Sequence, residues 1–590
     1  MSTGAVQTIW AELLATTLAD AGVARVVISP GSRSTPLVAA LAGEPRLALT
    51  TLIDERAAGF FALGAARATG QVVALVCTSG TAAAHYLPAI IEASLADVPL
   101  LVITADRPPE LYDCGASQTI DQIKLYGGFV RGAIDLGAPT DGELALRALR
   151  RKLVQAITLA IGPAPGPVHL EVPLRKPLEP AAPGSEAEQA LACAAAAIAG
   201  PVTIHAPVMT PADTAIEGLA RAIAAEPDGA IVVGAMPARF AAIRDAVLGF
   251  AARIGYPVIA EAGSQLRFGP RPDGACVVDH FDLIPAAQLP VPRLAIQLGA
   301  EPVAASWPAW AARLPERWVI AGPRWHDSDS AARGVILGSP SLVLTRLGRA
   351  IGMMLEAPRP AATGSAATWR ALDAAAGRAT AAALDAHPTS EVAVLHAALG
   401  ALPAGAALQI GNSMPIRVVD YLPPRAAATA VHTQRGAAGI DGLIASAAGA
   451  TTAGAPVLLV LGDVSFAHDL GGLLAARAAT APLTILVIDN RGGQIFAGLP
   501  FGKAAATPAQ RAAFERHWTT VPDVDPVAVA AALGHRATLA ATPAAVAAAI
   551  TAAFSTSGTS LIHAPVSPSG AHSVRSAALA GFDAHRGGST

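Results

Sequence analysis

The chain has 590 residues, 53% of them hydrophobic, with a formal net charge of −3 and a mean hydropathy of +0.46. That length exceeds what one hydrophobic core organises, so roughly two to four domains are expected. The hydropathy excludes disorder as the main state, and the near-neutral charge leaves no electrostatic footprint for nucleic acid.

Short apolar, β-branched runs alternate with Ala-rich helical patterns from end to end, which predicts α/β architecture with parallel sheets. In the first third RVVISP, LALTTLID, VVALVCT, PLLVITAD and GPVHLEVP read as strands, with ERAAGFFALGAARA and TAAAHYLPAIIEASLA as helices between them. A Pro-, Gly- and Glu-containing stretch, residues 177–188, reads as a linker. Residues 189–212 are uncharged enough to raise the question of a membrane span. Gly200-Pro201 breaks them in the middle, so they read as a helix followed by a strand. The apolar part of residues 537–574 is short and is interrupted by STSGTS, so no transmembrane segment is expected there either. A second α/β region carries strands at AIVVGA, PVIAEA, RLAIQLG and RWVIAG, and residues 356–390 form a second, partly helical linker. The third region carries ALQIGNSM, PVLLVLGD, LTILVIDN and SLIHAPV as strands, and the last dozen residues read as frayed. No basic region followed by an apolar one marks the N-terminus as a secretory signal. Cys77, Cys114, Cys193 and Cys276 form no CxxC pair. They fit a reduced, cytoplasmic setting better than a disulfide framework or a zinc site.

The residues that carry chemistry cluster where apolar strands end. Gly462-Asp463 closes PVLLVLGD, and Asp489-Asn490-Arg491-Gly492 closes LTILVIDN. The spacing leaves room for strand, helix and parallel strand, so the two ends meet where open α/β sheets bind ligands. One carboxylate, one amide oxygen and a backbone carbonyl suit a hard cation such as Mg²⁺. An isolated Gly-Asp after a strand is usually structural; a paired Asn followed by Gly-Gly is much rarer. Glu55, in DERAAGFFALG, has the ordinary reading of an acidic first turn that complements a helix dipole. SPGSRSTPL places Ser32 and Arg33 in a strand-to-helix turn, and ADRPPEL and GASQTIDQ add Arg107 and Gln118. GNSMPIR and QRGAAGIDG add Ser413, Arg417 and Arg435. Each Arg alone is an ordinary surface ion-pair partner. Four in loop segments suit substrates with several carboxylates, since Arg binds carboxylate as a bidentate fork. No Walker A, GxGxxG, GxSxG or HExxH pattern is present. His85 and His468 read as structural histidines.

The metal motif resembles the diphosphate-binding motif of thiamine diphosphate (ThDP) enzymes. Within them, SPGSRSTPL, DERAAGFFALG, TSGTAAAHYLPAIIEA, TADRPPEL, GASQTIDQ, GNSMPIR, RGAAGIDG, GDVSFAHDLGGL and DNRGGQIF are similar to the 2-succinyl-5-enolpyruvyl-6-hydroxy-3-cyclohexene-1-carboxylate synthase family. The resemblance implies three doubly wound parallel-sheet α/β domains: pyrimidine-binding (1–180), central (190–355) and diphosphate-binding (385–575). It implies a homodimer or homotetramer whose ThDP bridges two subunits. Glu55 would then face the aminopyrimidine ring nitrogen. Asp463, Asn490 and the Gly492 carbonyl would hold Mg²⁺, with Mn²⁺ as an alternative, and Ile440 would lie under the cofactor. Ser32, Arg33, Arg107, Gln118, Ser413, Arg417 and Arg435 would bind 2-oxoglutarate and isochorismate. The implied reaction is a decarboxylation of 2-oxoglutarate followed by 1,4-addition of the succinyl semialdehyde carbanion to isochorismate, a step of menaquinone biosynthesis.

There are departures. QLGAEPVAASW lacks the basic residue that relatives often carry there, Ala438 stands where Ser is common, and Val464 stands where many ThDP enzymes have a second Gly. Two alternatives share the cofactor motifs: another ThDP-dependent 2-oxo acid decarboxylase or carboligase, and a catalytically silent scaffold of the same fold.

Overall fold

In the computed structural model, which describes residues 1–205, 207–359, 364–504 and 507–586, the apolar runs become strands, several of them, such as Val73–Cys77 and Leu100–Asp106, buried throughout. The first six are β1 (Arg25–Ile28), β2 (Ala48–Thr51), β3 (Val73–Cys77), β4 (Leu100–Asp106), β5 (Ala133–Asp135) and β6 (Pro167–Pro173). They form one parallel sheet in the order β2-β1-β3-β4-β6-β5. Helices fill the crossovers, as parallel pairing requires. Trp10, Leu14, Val26, Ile103 and Leu170 belong to the core on one face.

The central strands β7 (Gly229–Val233), β8 (Val258–Ala260), β9 (Val277–Val278), β10 (Leu294–Leu298), β11 (Arg317–Ala321) and β12 (Gly334–Leu337) form a second parallel sheet, ordered β12-β11-β10-β7-β8-β9. This is the doubly wound order whose switch point, between β7 and β10, commonly accepts a dinucleotide. Here the loops leaving those strands are bonded to each other. Gly234 N donates to Leu298 O at 3.1 Å, and Ala300 N donates to Ala235 O at 3.0 Å. A Cβ on Gly234 would fall inside the Ala300 carbonyl oxygen. Glu301, in the stretch QLGAEPVAASW, accepts from Trp307 Nε1 and Ser328 Oγ, both at 2.8 Å.

The third sheet holds β13 (Ala407–Ile410), β14 (Val431–Thr433), β15 (Val457–Gly462), β16 (Leu483–Asp489), β17 (Arg536–Leu539) and β18 (Thr559–Pro565). Its order, β14-β13-β15-β16-β18-β17, is parallel throughout and repeats the order of the first sheet strand for strand.

The chain divides into two compact units. One takes Met1–Pro207, Gly436–Ala453 and Asp469–Thr480; the other takes Val208–Arg435, Gly454–His468 and Ala481–Thr590. In the second, a continuous core joins residues of the central and third sheets, among them Ile259, Trp310, Leu408, Val460 and Leu486. The stretch read as a partly helical linker contributes to it: Ser365–Ala386 is one helix, with Trp369 and Leu372 buried. Residues 360–363 of that stretch lie outside the described residues. The C-terminal dozen is not frayed over most of its length, because Gly570–Arg586 is a helix that buries Phe582. Its last four residues lie outside the described residues. No strand forms at 201–205, where the chain is held instead by Gly200, whose N–H donates to Asp20 and whose carbonyl accepts from Arg150. Among the described residues no helix is long and apolar enough to cross a membrane.

In the first unit the helices Glu55–Thr69 and Leu443–Ala450 touch backbone to backbone. A Cβ on Gly64 would overlap the Ser446 carbonyl, and one on Gly449 would overlap the Phe61 carbonyl. Neither obstacle is the movable end of a side chain. Gly64→Ala is therefore expected to cost about 1–3 kcal/mol and lower the thermal unfolding midpoint. An unchanged midpoint would contradict the close packing.

Candidate active site

In the first unit the carboxyl edge of the sheet collects five of the residues singled out from the sequence. After β1 the chain turns through Ser32 and Arg33. Arg33 is 5% exposed. Its backbone N–H donates to Thr78 Oγ1 at 3.2 Å and its Nη1 to Leu174 O at 2.7 Å, while its Nε is buried without a partner. Burial, then the neighbouring Arg107, lower its pKa, which marks two cations held close together. Arg107 leaves the end of β4 and donates to Ser79 Oγ. Gln118, at φ +55°, donates to Ser79 O at 3.0 Å. The turn at residues 78–80, at the end of β3, is thus the hub on which Arg33, Arg107 and Gln118 converge; Ser32 is exposed beside it.

Glu55 is the first residue of the helix that follows β2. The capping role falls to Asp54, whose side chain accepts from Arg56 N. The Glu55 carboxylate is half-buried, with no hydrogen bond or ion pair among the described residues. An acid so placed is available to a ligand.

A buried polar relay lies beneath the hub, and nothing in the sequence announced it. Glu171 on β6 is 2% exposed and Asp106 at the end of β4 is fully buried. Glu171 accepts from Thr104 Oγ1 at 2.5 Å and from Gln122 Nε2 at 3.1 Å, and Gln122 Oε1 accepts from Gly80 N at 2.8 Å. The relay therefore ends on the same turn. Burial pushes Glu171 up to about 7; burial, then the Glu171 charge, pushes Asp106 up to about 7. Burial pushes the adjoining His169 down to about 4, which leaves it neutral.

In the second unit, β15 and β16 run parallel in register through Gly462 and Ile488, which brings the two halves of the metal motif together. Asp463 Oδ2 accepts from Gly492 N at 2.6 Å, and its Oδ1 accepts from Val464 N at 2.9 Å. Asp489 is engaged elsewhere: Oδ2 meets His563 Nε2 at 3.0 Å and Oδ1 accepts from Arg491 N at 3.0 Å. Asn490 donates through Nδ2 to Glu391 Oε2 at 3.2 Å, which turns its Oδ1 the other way as an acceptor. Glu391 is buried and pushed by that burial up to about 7. From sequence it looks like any acid in a first helical turn, because Ser390 caps its helix in the ordinary way.

Gly492 has φ +102°, and a Cβ there would overlap Thr519 O, so only glycine fits. Its carbonyl accepts from Gln494 N at 2.8 Å and keeps a second lone pair. Burial raises the pKa of Asp463, and a divalent cation would reverse that shift. The donor set therefore fits Mg²⁺: one acid that needs a cation, one oriented amide oxygen and one carbonyl. Among the described residues no cluster of three or more His, Cys, Asp or Glu side chains is suited to a metal.

Ser413 (φ +72°) and Arg417 lie just past β13, where Arg417 Nη1 donates to Ser413 O at 2.7 Å. Arg435 Nη1 donates to Asn412 Oδ1 at 2.9 Å in the same region. Ile440 lies half-buried in the loop before the helix Leu443–Ala450, in the first unit.

Comparison with known proteins defines the class. The family described as thiamine pyrophosphate enzyme, N-terminal TPP binding domain, matches residues 10–125, and its C-terminal TPP binding domain counterpart matches residues 411–564. A solved benzoylformate decarboxylase from Polynucleobacter necessarius shares the fold with a TM-score of 0.71 at 18% identity, covering 96% of this chain and 99% of that one. This is a ThDP-binding enzyme fold. The 2-succinyl-5-enolpyruvyl-6-hydroxy-3-cyclohexene-1-carboxylate synthase of Sorangium cellulosum is 42% identical over 95% of this chain and 92% of its own length. That of Geobacillus kaustophilus is 38% identical over 88% and 87%. The chain belongs to this synthase family of ThDP-dependent transferases.

The relay generates a pH prediction. Glu171 and Asp106 bind protons more tightly when folded than the ordinary carboxylate range of about 4 allows in the unfolded chain. The folded state therefore holds extra protons between about pH 4 and 7, and its stability falls as pH rises through that window. Glu171→Gln is expected to flatten the decline of the unfolding midpoint across it. The same slope in variant and parent would contradict the raised pKa.

Proposed function

We propose that the protein decarboxylates 2-oxoglutarate and adds the succinyl semialdehyde unit in a 1,4-fashion to isochorismate. Carbon dioxide leaves, and the product is 2-succinyl-5-enolpyruvyl-6-hydroxy-3-cyclohexene-1-carboxylate, on the route to menaquinone. One observation carries the choice of substrates: the Arg33 and Arg107 cations are neighbours at the carboxyl edge of a parallel sheet, with Gln118 bonded to the same Ser79 as Arg107, a cationic donor cluster suited to carboxylates.

Bound ThDP supplies the nucleophilic carbon and the electron sink that decarboxylation of a 2-oxo acid requires. Glu55 would hold a proton at the aminopyrimidine ring nitrogen. Asp463, Asn490 and the Gly492 carbonyl would hold Mg²⁺, leaving its other positions to water and phosphate oxygens. Mn²⁺ suits the same oxygen-rich set. Ile440 would hold the cofactor bent. Ser32, Arg33, Arg107 and Gln118, with Ser413, Arg417 and Arg435, would orient the substrate carboxylates so that the reacting carbons meet. The working unit is a homodimer or homotetramer in which Glu55 of one copy and the metal ligands of another serve one cofactor. Ile53, 81% exposed two residues before Glu55, supports cover by a second copy. Four unpaired cysteines fit a cytoplasmic setting.

The test mixes the protein with ThDP, Mg²⁺, 2-oxoglutarate and isochorismate, and follows isochorismate absorbance and product mass. Expected is ThDP-dependent loss of isochorismate, a product heavier by a succinyl semialdehyde unit, and a rate at least about 100-fold lower in Glu55→Gln. Decarboxylation that leaves isochorismate untouched would replace this reading by another ThDP-dependent decarboxylase or carboligase. ThDP binding without turnover of any 2-oxo acid would indicate a silent scaffold.

A further inference from the structure

We propose that Glu92 and Asp469 are positioning residues, two buried carboxylates that clamp the two ends of the loop carrying Ile440. The inference rests on the reading that Ile440 supports the cofactor.

The loop is built mostly of small residues. Residues 436–442 run Gly-Ala-Ala-Gly-Ile-Asp-Gly, between β14 and the helix Leu443–Ala450, without secondary structure. Ala438 and Gly442 adopt φ +59° and +62°, and Ala437 and Ala438 are exposed. A segment of small residues loses much backbone entropy when fixed and offers few side chains to pack. Two buried acids hold its ends.

At the entrance stands Glu92, 3% exposed, on the helix Leu87–Leu95. Its Oε1 accepts from Gly436 N at 3.1 Å and its Oε2 from Ala437 N at 2.6 Å. Arg67 Nη2 donates to Oε1 at 2.8 Å and compensates the charge. Removing one partner of such a buried pair strands the other, so the arrangement works only when complete. The fit is tight: a Cβ on Gly436 would lie 2.8 Å from the Glu92 carbonyl oxygen and 2.9 Å from its Oε2.

At the exit stands Asp469, whose Oδ2 accepts from Ile444 N at 2.7 Å and Ala445 N at 3.2 Å. These are first-turn amides of the helix Leu443–Ala450. Its N-cap residue, Gly442, has no side chain to satisfy them. Asp469 supplies the missing cap from another segment. Gly472 makes room for it, since a Cβ there would lie 2.5 Å from Oδ2. Asp469 needs one acceptor oxygen for its two amides, and Glu92 needs two. Glu92 uses both oxygens for three donors, and an amide would turn an N–H toward an N–H. Both lie within one compact unit with the loop, so the clamp is a property of that unit.

The test uses full-length Glu92→Gln, Asp469→Ala and Gly436→Ala, the last of which keeps every charge, with Ile440→Ala as reference. Amide hydrogen exchange over residues 436–445 is measured without cofactor, and ThDP affinity is measured by calorimetry in Mg²⁺ at a temperature well below each unfolding midpoint. In the parent, amides 436, 437, 444 and 445 should be protected from exchange. In the variants the amides at the altered end should exchange faster, and the ThDP dissociation constant should rise about 10-fold or more. Variants that exchange faster yet bind ThDP as tightly as the parent would overturn the positioning role. If Ile440→Ala still weakens binding in that case, the site reading survives. Unchanged binding in Ile440→Ala would overturn both. Fast exchange at all four amides in the parent would show that no clamp exists. Should a charge variant fail to fold, Gly436→Ala decides.

Discussion

Parallel strands joined by crossover helices must all end on the same edge of their sheet. That constraint places the chemistry of this protein. The turns after β1, β2, β3 and β4 carry Arg33, Glu55, Ser79 and Arg107, and those after β13, β15 and β16 carry Ser413, Asp463 and Asn490. Each group shares an edge because each sheet is parallel throughout. The first and third sheets have the same strand order, yet their edges are equipped differently. One offers cations, a hydroxyl-rich turn and a free carboxylate; the other offers an oxygen-donor set for a hard cation. The proposed cofactor has matching ends, an aminopyrimidine and a diphosphate. The central sheet has the doubly wound order, but its switch point is closed by hydrogen bonds between its own loops. Its core is continuous with that of the third sheet.

The second theme is the use of buried acids. Glu391 orients Asn490, Glu171 reaches the 78–80 turn through Gln122, and Glu92 and Asp469 hold backbone amides. None is exposed, and each acts on a neighbour that faces the edge. A buried carboxylate is costly unless its lone pairs are filled. Glu171 and Glu92, bonded through both oxygens, are therefore locked in place by the groups they orient, which is how a site gains definition from residues that touch no ligand.

Much of this was legible in the sequence. Strands buried on both faces, such as β3, β4, β15 and β16, read as continuous apolar runs, and Arg107, Asp463 and Asn490 stood at the end of one or in the turn beyond it. The short strands β5, β9, β12, β14 and β17 did not stand out, because two to four residues, several of them exposed, carry no run or alternation to detect. The strand expected near residue 202 failed to form although its composition suited one. The supporting acids were illegible for a different reason. Glu92 lies in an ordinary amphipathic helix, and its amide partners are 344 and 345 positions away. Glu171 alternates in a strand like any polar residue. Only the fold tells which of many Glu and Asp are turned inward.

The central claim is that one cofactor is served by Glu55 of one copy and Asp463 of another. Glu55→Gln and Asp463→Ala, each inactive alone, can be dissociated, mixed and reassociated. A mixed dimer then contains one site with both native residues and one with neither. The account predicts that activity returns, to about a quarter of the parent's when exchange is random. Mixed dimers that form and remain inactive would contradict it.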